Sequence, residues 1–406
     1  MTQLRTKLSN ETVSGALLLL AAIAAIVWAN SPWQQAYHDL SDFTFGPAAL
    51  HLNLSVSAWA ADGLLALFFF VIGLELKHEL TVGSLSKPKE AAVPVFAAIG
   101  GMVIPAAIFV AIVVGMDDAA ALGGWAIPTA TDIAFAIGVL ALFGKGLPKA
   151  LRLFLLTLAV VDDLLAIIVI AVFYTSDLNF AALGLALVVI AIFGFVTRTR
   201  WAKWWILIPL GLVAWTLMHS SGVHATIAGV LLGLTVPSKI LFGEEHPRTE
   251  HYSETITPLS SGIALPIFAF FAAGVTVAGA GSLGEVFSQP VFIGVTLGLT
   301  LGKVIGVLAT TAFIVKFTPL RLPDAIGVRD LLPVGFLCGI GFTVALLIAE
   351  LSYPDTEHTA AAKLAILIGS VLAAVFGAAL LRWDARQARN TDMNEDGIRD
   401  VNIELM

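Results

Sequence analysis

The sequence predicts an all-α polytopic membrane protein of about twelve transmembrane helices. Three observations predict it. The chain is 58% hydrophobic and 13% charged, with a mean hydropathy of +0.92, which a water-soluble fold does not reach. Its apolar runs have the ~17–25-residue length that crosses a ~30 Å hydrocarbon core. Its lysines and arginines alternate in a way that fixes the number of crossings.

The runs fall at about 13–30, 58–77, 91–115, 124–143, 150–174, 179–197, 204–218, 222–237, 256–278, 290–315, 331–351 and 360–382. The first, Val13 to Ala29, follows Arg5 and Lys7 and competes with a signal peptide. It is long for one, and Ala29-Asn30-Ser31-Pro32 is a poor cleavage site, so it reads as a span. With the N-terminus in the cytoplasm, Lys77, Lys87, Lys89, Lys145, Lys149, Arg152, Arg198, Arg200, Lys203, Lys239, Arg248, Lys316, Arg321, Arg329 and Arg382 all lie inside with the tail. The opposite side keeps only Lys363, and Lys303 is inside a span. One span more or fewer would scramble that pattern. Both termini are therefore expected in the cytoplasm.

The first outside loop holds Leu50 to Ser57, whose period-2 alternation marks a half-buried strand, with a turn at Phe45-Gly46-Pro47. A short extracytoplasmic β-hairpin is expected, and its open edge suits pairing with a second copy in a homodimer. The polar tail after Trp383 is expected to be disordered. Within it, Asp392-Met-Asn394-Glu-Asp396-Gly397 resembles the start of a calcium loop, but its twelfth position is Ile403, and it reads as solvated tail. The expected organisation is 1–90 (spans 1–2 with the hairpin), 91–175 (spans 3–5), 176–285 (spans 6–9), 286–383 (spans 10–12) and a 384–406 tail. Cys338 is the single cysteine, which excludes an internal disulfide or a multi-cysteine metal site. Scattered basic residues give no nucleic-acid surface, and no phosphate-binding glycine loop suggests a nucleotide. Membrane lipid is the expected surrounding.

Chemistry concentrates at Asp162 and Asp163, mid-way along the fifth run. An aspartate at that depth costs about 2.5–3.5 kcal/mol, and such acids usually mark ion or proton routes. On a helix the two point roughly 100° apart, so one can meet a fixed partner while the other faces a pathway. The fourth run holds Pro128, Thr129, Thr131 and Asp132, which predict a helix broken at mid-membrane. Gly335, Gly339, Gly341 and Thr343 permit the same break in the eleventh. Lys303, in the tenth, lies too deep to reach water and needs a carboxylate partner or must be neutral. A broken span precedes one acid-bearing span and a second follows the lysine-bearing one, so spans 3–5 and 10–12 read as inverted repeats around a midplane site. Half-helix N-termini meeting there would want an anion such as Asp132, and C-termini a cation such as Lys303.

Several strings together resemble the bacterial NhaA sodium/proton antiporters: Gly73-Leu-Glu75-Leu-Lys, Ala-Thr131-Asp132-Ile-Ala-Phe-Ala, Val-Asp162-Asp163-Leu, Gly222-Val-His224-Ala-Thr-Ile-Ala-Gly229 and Cys338-Gly-Ile-Gly-Phe-Thr343. The resemblance runs from about Asn10 to Arg382. It implies exchange of cytoplasmic Na⁺ or Li⁺ for external H⁺ across a bacterial inner (plasma) membrane, with no cofactor and no enzymatic turnover. It implies Asp163 as the main cation ligand, with Asp132, Thr131 and Asp162 nearby, and an Asp162–Lys303 pair when the cation is absent. Hard oxygens suit a small hard cation, and carboxylates in a low-dielectric site also bind protons, so the two ions compete. The resemblance further implies a pH-sensing, cation-attracting cluster of Glu75, His78, Glu79, Glu250, His251 and Glu254, with His224 in a matching motif. His78 departs from the arginine common in the family. An intramembrane aspartyl protease would need Tyr-Asp and Gly-x-Gly-Asp strings, which do not occur. A solute symporter would need a second polar pocket, and a channel would lack the acid–lysine coupling.

Overall fold

The computed structural model describes residues 11–48, 52–175, 178–276, 283–387, 390, 392–394, 398–400 and 403–406. Its helices are α1 (Glu11–Ala29), α2 (Gln34–Asp42), α3 (Val56–Thr81), α4 (Pro88–Gly115), α5 (Ile133–Phe143), α6 (Lys149–Phe173), α7 (Phe180–Val196), α8 (Trp204–Ser220), α9 (Thr226–Thr235), α10 (Arg248–Ala272), α11 (Leu283–Ser288), α12 (Pro290–Phe317), α13 (Leu331–Cys338), α14 (Phe342–Ser352) and α15 (Thr356–Asp384). Among the described residues six helices are long and apolar enough to cross a membrane, or up to nine if each of three sharply bent pairs is one span. The architecture is an all-α membrane protein.

The chain divides into two compact units, residues 1–86 with 167–276 and residues 87–166 with 277–406. In the first unit α1 turns by 116° into α2. Asn30 fixes the corner, its amide donating to the Ile26 carbonyl at 2.8 Å and to the Val275 carbonyl at 2.7 Å. Strands β1 (Thr44–Phe45) and β2 (Leu54–Ser55) pair antiparallel, Thr44 opposite Ser55 and Phe45 opposite Leu54. The strand expected over 50–57 is thus cut short. Ser55 Oγ accepts from the Ala58 N–H and caps α3, so Val56 and Ser57 are already helical. Leu50 and His51 lie outside the described residues.

Helices α3 and α9 meet almost backbone to backbone. A Cβ on Gly73 would stand 2.4 Å from the Val230 carbonyl oxygen, and one on Gly229 would stand 2.3 Å from that of Ala66. Only glycine permits that approach, the small-residue contact by which helices associate in lipid. Phe70, Leu74, Phe193, Trp215, Met218 and Tyr252 fill the core around it.

In the second unit α4 and α12 pack the same way, a Cβ on Gly306 falling 2.3 Å from the Gly100 carbonyl oxygen. The tail, expected to be disordered from 384, is held at its described end. The Lys149 N–H donates to the Glu404 carbonyl at 2.8 Å and the Met406 N–H to that of Leu147, also at 2.8 Å. Lys149 and Glu404 pair at 3.0 Å. Of the calcium-loop-like string, Glu395, Asp396 and Gly397 lie outside the described residues. Asn394 donates its amide to the Leu322 carbonyl at 3.1 Å, a structural contact.

Candidate functional site

The site begins with two interrupted spans of the second unit. The first runs as a 3-10 helix over Ala119–Thr129, is extended at Ala130, and resumes as α5 at 48° to its first half. Pro128 lacks an N–H and sits beside the interruption. Asp132 then restarts the helix as its N-cap, Oδ1 accepting from the Phe135 N–H at 3.2 Å. The second span ends its first half at Cys338, turns through Gly339 and Gly341, and resumes as α14 at 50°.

The two interruptions touch. Thr131 Oγ1 donates to the Cys338 carbonyl at 2.8 Å, and the Asp132 N–H donates to the Ile340 carbonyl at 2.5 Å. Asp132 Oδ2 accepts from Thr343 twice, from the backbone N–H at 3.2 Å and from Oγ1 at 2.7 Å. One carboxylate therefore sits on the first turns of both α5 and α14. Helix N-termini carry about half a positive charge each, so this is where an anion is stabilised. Gly341 lets the two chain segments approach, since a Cβ there would lie 3.1 Å from the Ala130 carbonyl oxygen. Its own N–H donates to Ser370 Oγ of α15 at 3.3 Å.

Helix α12 reaches both breaks. Its Gly298 faces Pro128, where a Cβ would come within 2.6 Å, and its Gly335 neighbour on α13 would press a Cβ to 2.9 Å from the Val304 Cα. The turn Gly298–Gly302 is wound as a π-helix, immediately before Lys303. Such a turn inserts one residue into the helical register and re-aims the side chains beyond it. Lys303 Nζ meets Asp162 Oδ2 of α6 at 2.7 Å, with both side chains 1% exposed. Asp162 Oδ1 is buried and has no hydrogen-bond partner. Asp163, the next residue on α6, is also buried, as are Thr131 and Asp132.

Lys303 is the one buried lysine or arginine of the second unit among the described residues. The second unit thus buries Asp132 at the crossed breaks, the Asp162–Lys303 pair between α6 and α12, and Asp163 beside Asp162 on α6. Carboxylate oxygens in so dry a setting are hard donors with a raised affinity for protons.

In the first unit, Glu75 is exposed and His78 and Glu79 are half-buried at the end of α3. Glu79 Oε2 accepts from the Ser84 N–H at 2.8 Å and caps the turn beyond the helix. Glu250 stands 3.6 Å from His246, His251 is tilted against the Tyr252 ring at 5.8 Å, and Glu254 is exposed. The helices carrying these two sets, α3 and α10, pack against each other. His224 binds Thr226 Oγ1 at 2.7 Å through Nδ1 and lies 3.2 Å from Asp62 through Nε2. His219 approaches the other Asp62 oxygen at 3.8 Å. Asp62 was missed in the sequence, although an acid inside the apolar run of α3 was a readable signal.

Compared with known proteins, residues 5–381 match the family model described as Na+/H+ antiporter 1. The chain belongs to that family. It is 53% identical over 402 residues to the protein named Na(+)/H(+) antiporter NhaA from Mycolicibacterium smegmatis, covering 97% of this chain and 92% of that protein. It is 52% identical over 404 residues to Na(+)/H(+) antiporter NhaA 3 from Streptomyces coelicolor, covering 99% and 84%. A relative from Kineococcus radiotolerans, named Na(+)/H(+) antiporter NhaA 2, is 50% identical over 412 residues. Within this family member, every site residue from Glu75 to Thr343 lies inside the matched range, and the docked tail lies beyond it.

Proposed function

We propose that the protein is a secondary transporter that exchanges cytoplasmic Na⁺ or Li⁺ for external H⁺ by alternating access, under pH control. The observation that carries this is buried Asp132 at the crossing of two broken spans together with the buried Asp162–Lys303 pair, beside which Asp163 is also buried on α6. Asp163 is the cation ligand, with Thr131 and Asp132 contributing oxygens. Asp162 alternates between Lys303 and the cation. A proton and Na⁺ compete for the same carboxylates, so binding one expels the other, and opening to one side at a time converts that competition into exchange. No cofactor enters the scheme, because the ions are cargo.

Six long helices, three bent pairs and three shorter apolar helices (α7, α8 and α9) make up twelve crossings. Spans 3–5 and 10–12 are inverted repeats, a reading supported by their shared order: long helix, broken span, long helix. Both termini are cytoplasmic in a bacterial inner membrane, and the β1–β2 pair joins two copies. Glu75, His78, Glu79, Glu250, His251 and Glu254 form the pH-responsive rim, with His224 behind it.

Everted membrane vesicles carrying a pH-sensitive dye test the exchange. Adding Na⁺ or Li⁺ alone should dissipate an imposed proton gradient. A requirement for an organic solute would replace this reading by symport, and no response to either ion would remove it.

A further inference from the structure

At one end of the second unit, the His358 side chain joins two elements. It lies in the first turn of α15. Its Nδ1 is 2.9 Å from both oxygens of Asp355, the N-cap of α15. Its Nε2 is 3.3 Å from Asp118 Oδ2. Asp118 is the N-cap of the 3-10 half of the first broken span, its Oδ1 accepting from the Ala121 N–H at 3.3 Å. Both ring nitrogens thus face carboxylates, which accept and cannot donate. A neutral imidazole has one N–H and one lone pair, so it would turn a lone pair toward an anion. Only the imidazolium satisfies both contacts.

We propose that His358 is a proton-operated clasp that fastens the outer end of the first broken span to α15 and releases it as pH on that face rises. This rests on the antiport reading for its role, because the clasped half-helix leads directly into Thr131 and Asp132. The surroundings fit such a device. The His358 side chain is 20% exposed, so protons reach it from water. Tyr353 stacks on its ring at 5.4 Å and donates its hydroxyl to the Ala121 carbonyl at 2.8 Å, a second tie that does not titrate near neutrality. Lys363 pairs with Glu350 at 3.1 Å and Glu357 accepts from the Gln289 amide at 2.8 Å, while Asp117 adds a further carboxylate next to Asp118. Burial alone would raise the Asp355 carboxyl, but the His358 backbone N–H and ring more than offset it, so it stays below the usual carboxylate range and keeps its charge. The clasp is therefore formed while the ring is protonated and is lost as pH rises through the ring's titration.

Two measurements test it. Hydrogen exchange of the Ala119–Thr129 backbone, on the full-length protein in detergent, should be several-fold slower at pH 6 than at pH 8 after correction for intrinsic rates. His358→Gln should remove that difference, whereas His358→Lys should keep the slow exchange at pH 8. Asp118→Asn, which retains the capping oxygen and loses the charge, should move the midpoint to lower pH. Proteoliposomes with the two faces buffered separately give the second readout. The rate of Na⁺-driven H⁺ exchange should step with the pH of the His358 face in wild type and not in His358→Gln. Superimposable hydrogen-exchange and rate profiles for wild type and His358→Gln overturn the clasp. Absence of Na⁺-driven exchange in wild type would instead remove the antiport reading, leaving the hydrogen-exchange result to decide the clasp.

Discussion

Removing Lys303 should expose how the site is held together. Its Nζ lies 2.7 Å from Asp162 Oδ2 and neither side chain sees solvent. In Lys303→Met the apolar stem is kept and the charge lost. Asp162 Oδ2 then joins Oδ1, which already has no hydrogen-bond partner, as an orphaned buried atom. Breaking one side of a buried pair costs about 3–5 kcal/mol. Taking an unfolding entropy of ~2.1 cal/mol/K per residue over the whole chain, the melting temperature should fall by roughly 4–6 °C. Adding Asp162→Asn removes the buried charge itself, and pairs replaced on both sides are often near neutral. The double variant should therefore recover most of the loss. Thermal melting in detergent of wild type, both single variants and the double closes the cycle. Single losses that simply add in the double variant would refute the coupling.

Asp163→Asn keeps the shape of the side chain and removes its charge and proton binding, so exchange should vanish while membrane insertion and melting are retained; dye-reported exchange at normal rate would remove Asp163 from the site. Thr343→Val deletes the hydroxyl that donates 2.7 Å to Asp132. Loss of a hydrogen bond to a charged group costs about 1.5–3 kcal/mol, read as a lower melting temperature that Thr343→Ser should largely restore. Gly339→Ala would put a methyl 2.2 Å from the Leu299 carbonyl oxygen, against backbone that cannot yield cheaply. It should cost about 1–3 kcal/mol or more and reduce exchange at every pH, whereas a wild-type melt would show the break tolerates displacement. His78→Arg installs a charge that stays fixed across the working range, so the activity profile in everted vesicles should move toward alkaline pH with little change at the plateau. Identical profiles would make His78 part of a solvated rim.

How far the sequence reached depended on what each feature needed. Asp162, Asp163 and Lys303 were legible because a charge inside an apolar run has no cheap explanation. The breaks at Pro128 to Asp132 and at Gly339 to Gly341 were legible because backbone polar groups freed in lipid must be satisfied nearby. The choice of Asp162 over Asp163 as the lysine's partner was not readable from spacing, since it turns on the π-turn at Gly298–Gly302 and on which face of α6 meets α12. Thr343 was read only as permitting the break, and its two donations to Asp132 appear only once the two breaks are crossed. The strand over 50–57 was overextended because Ser55 is equally good as a strand residue and as a helix cap, and capping won. Tail docking at Lys149 was hidden because isolated polar residues carry no periodicity.

On the proposed exchange, buried charge accounts for the competition between the two ions. Asp132, Asp162 and Asp163 are all buried, and Lys303 pairs with Asp162. The first turns of α5 and α14 converge on Asp132 and stabilise its charge. A carboxylate left ionised and unpaired in a low-dielectric setting is costly, and either a proton or Na⁺ relieves that cost. Under this proposal the competition arises from electrostatics before any moving part is invoked. An isothermal titration of the purified protein checks this. Na⁺ binding should release protons, measured as a buffer-dependent heat, in the pH range where the cluster is protonated. Binding heats independent of the buffer would mean that Na⁺ and H⁺ do not share the cluster.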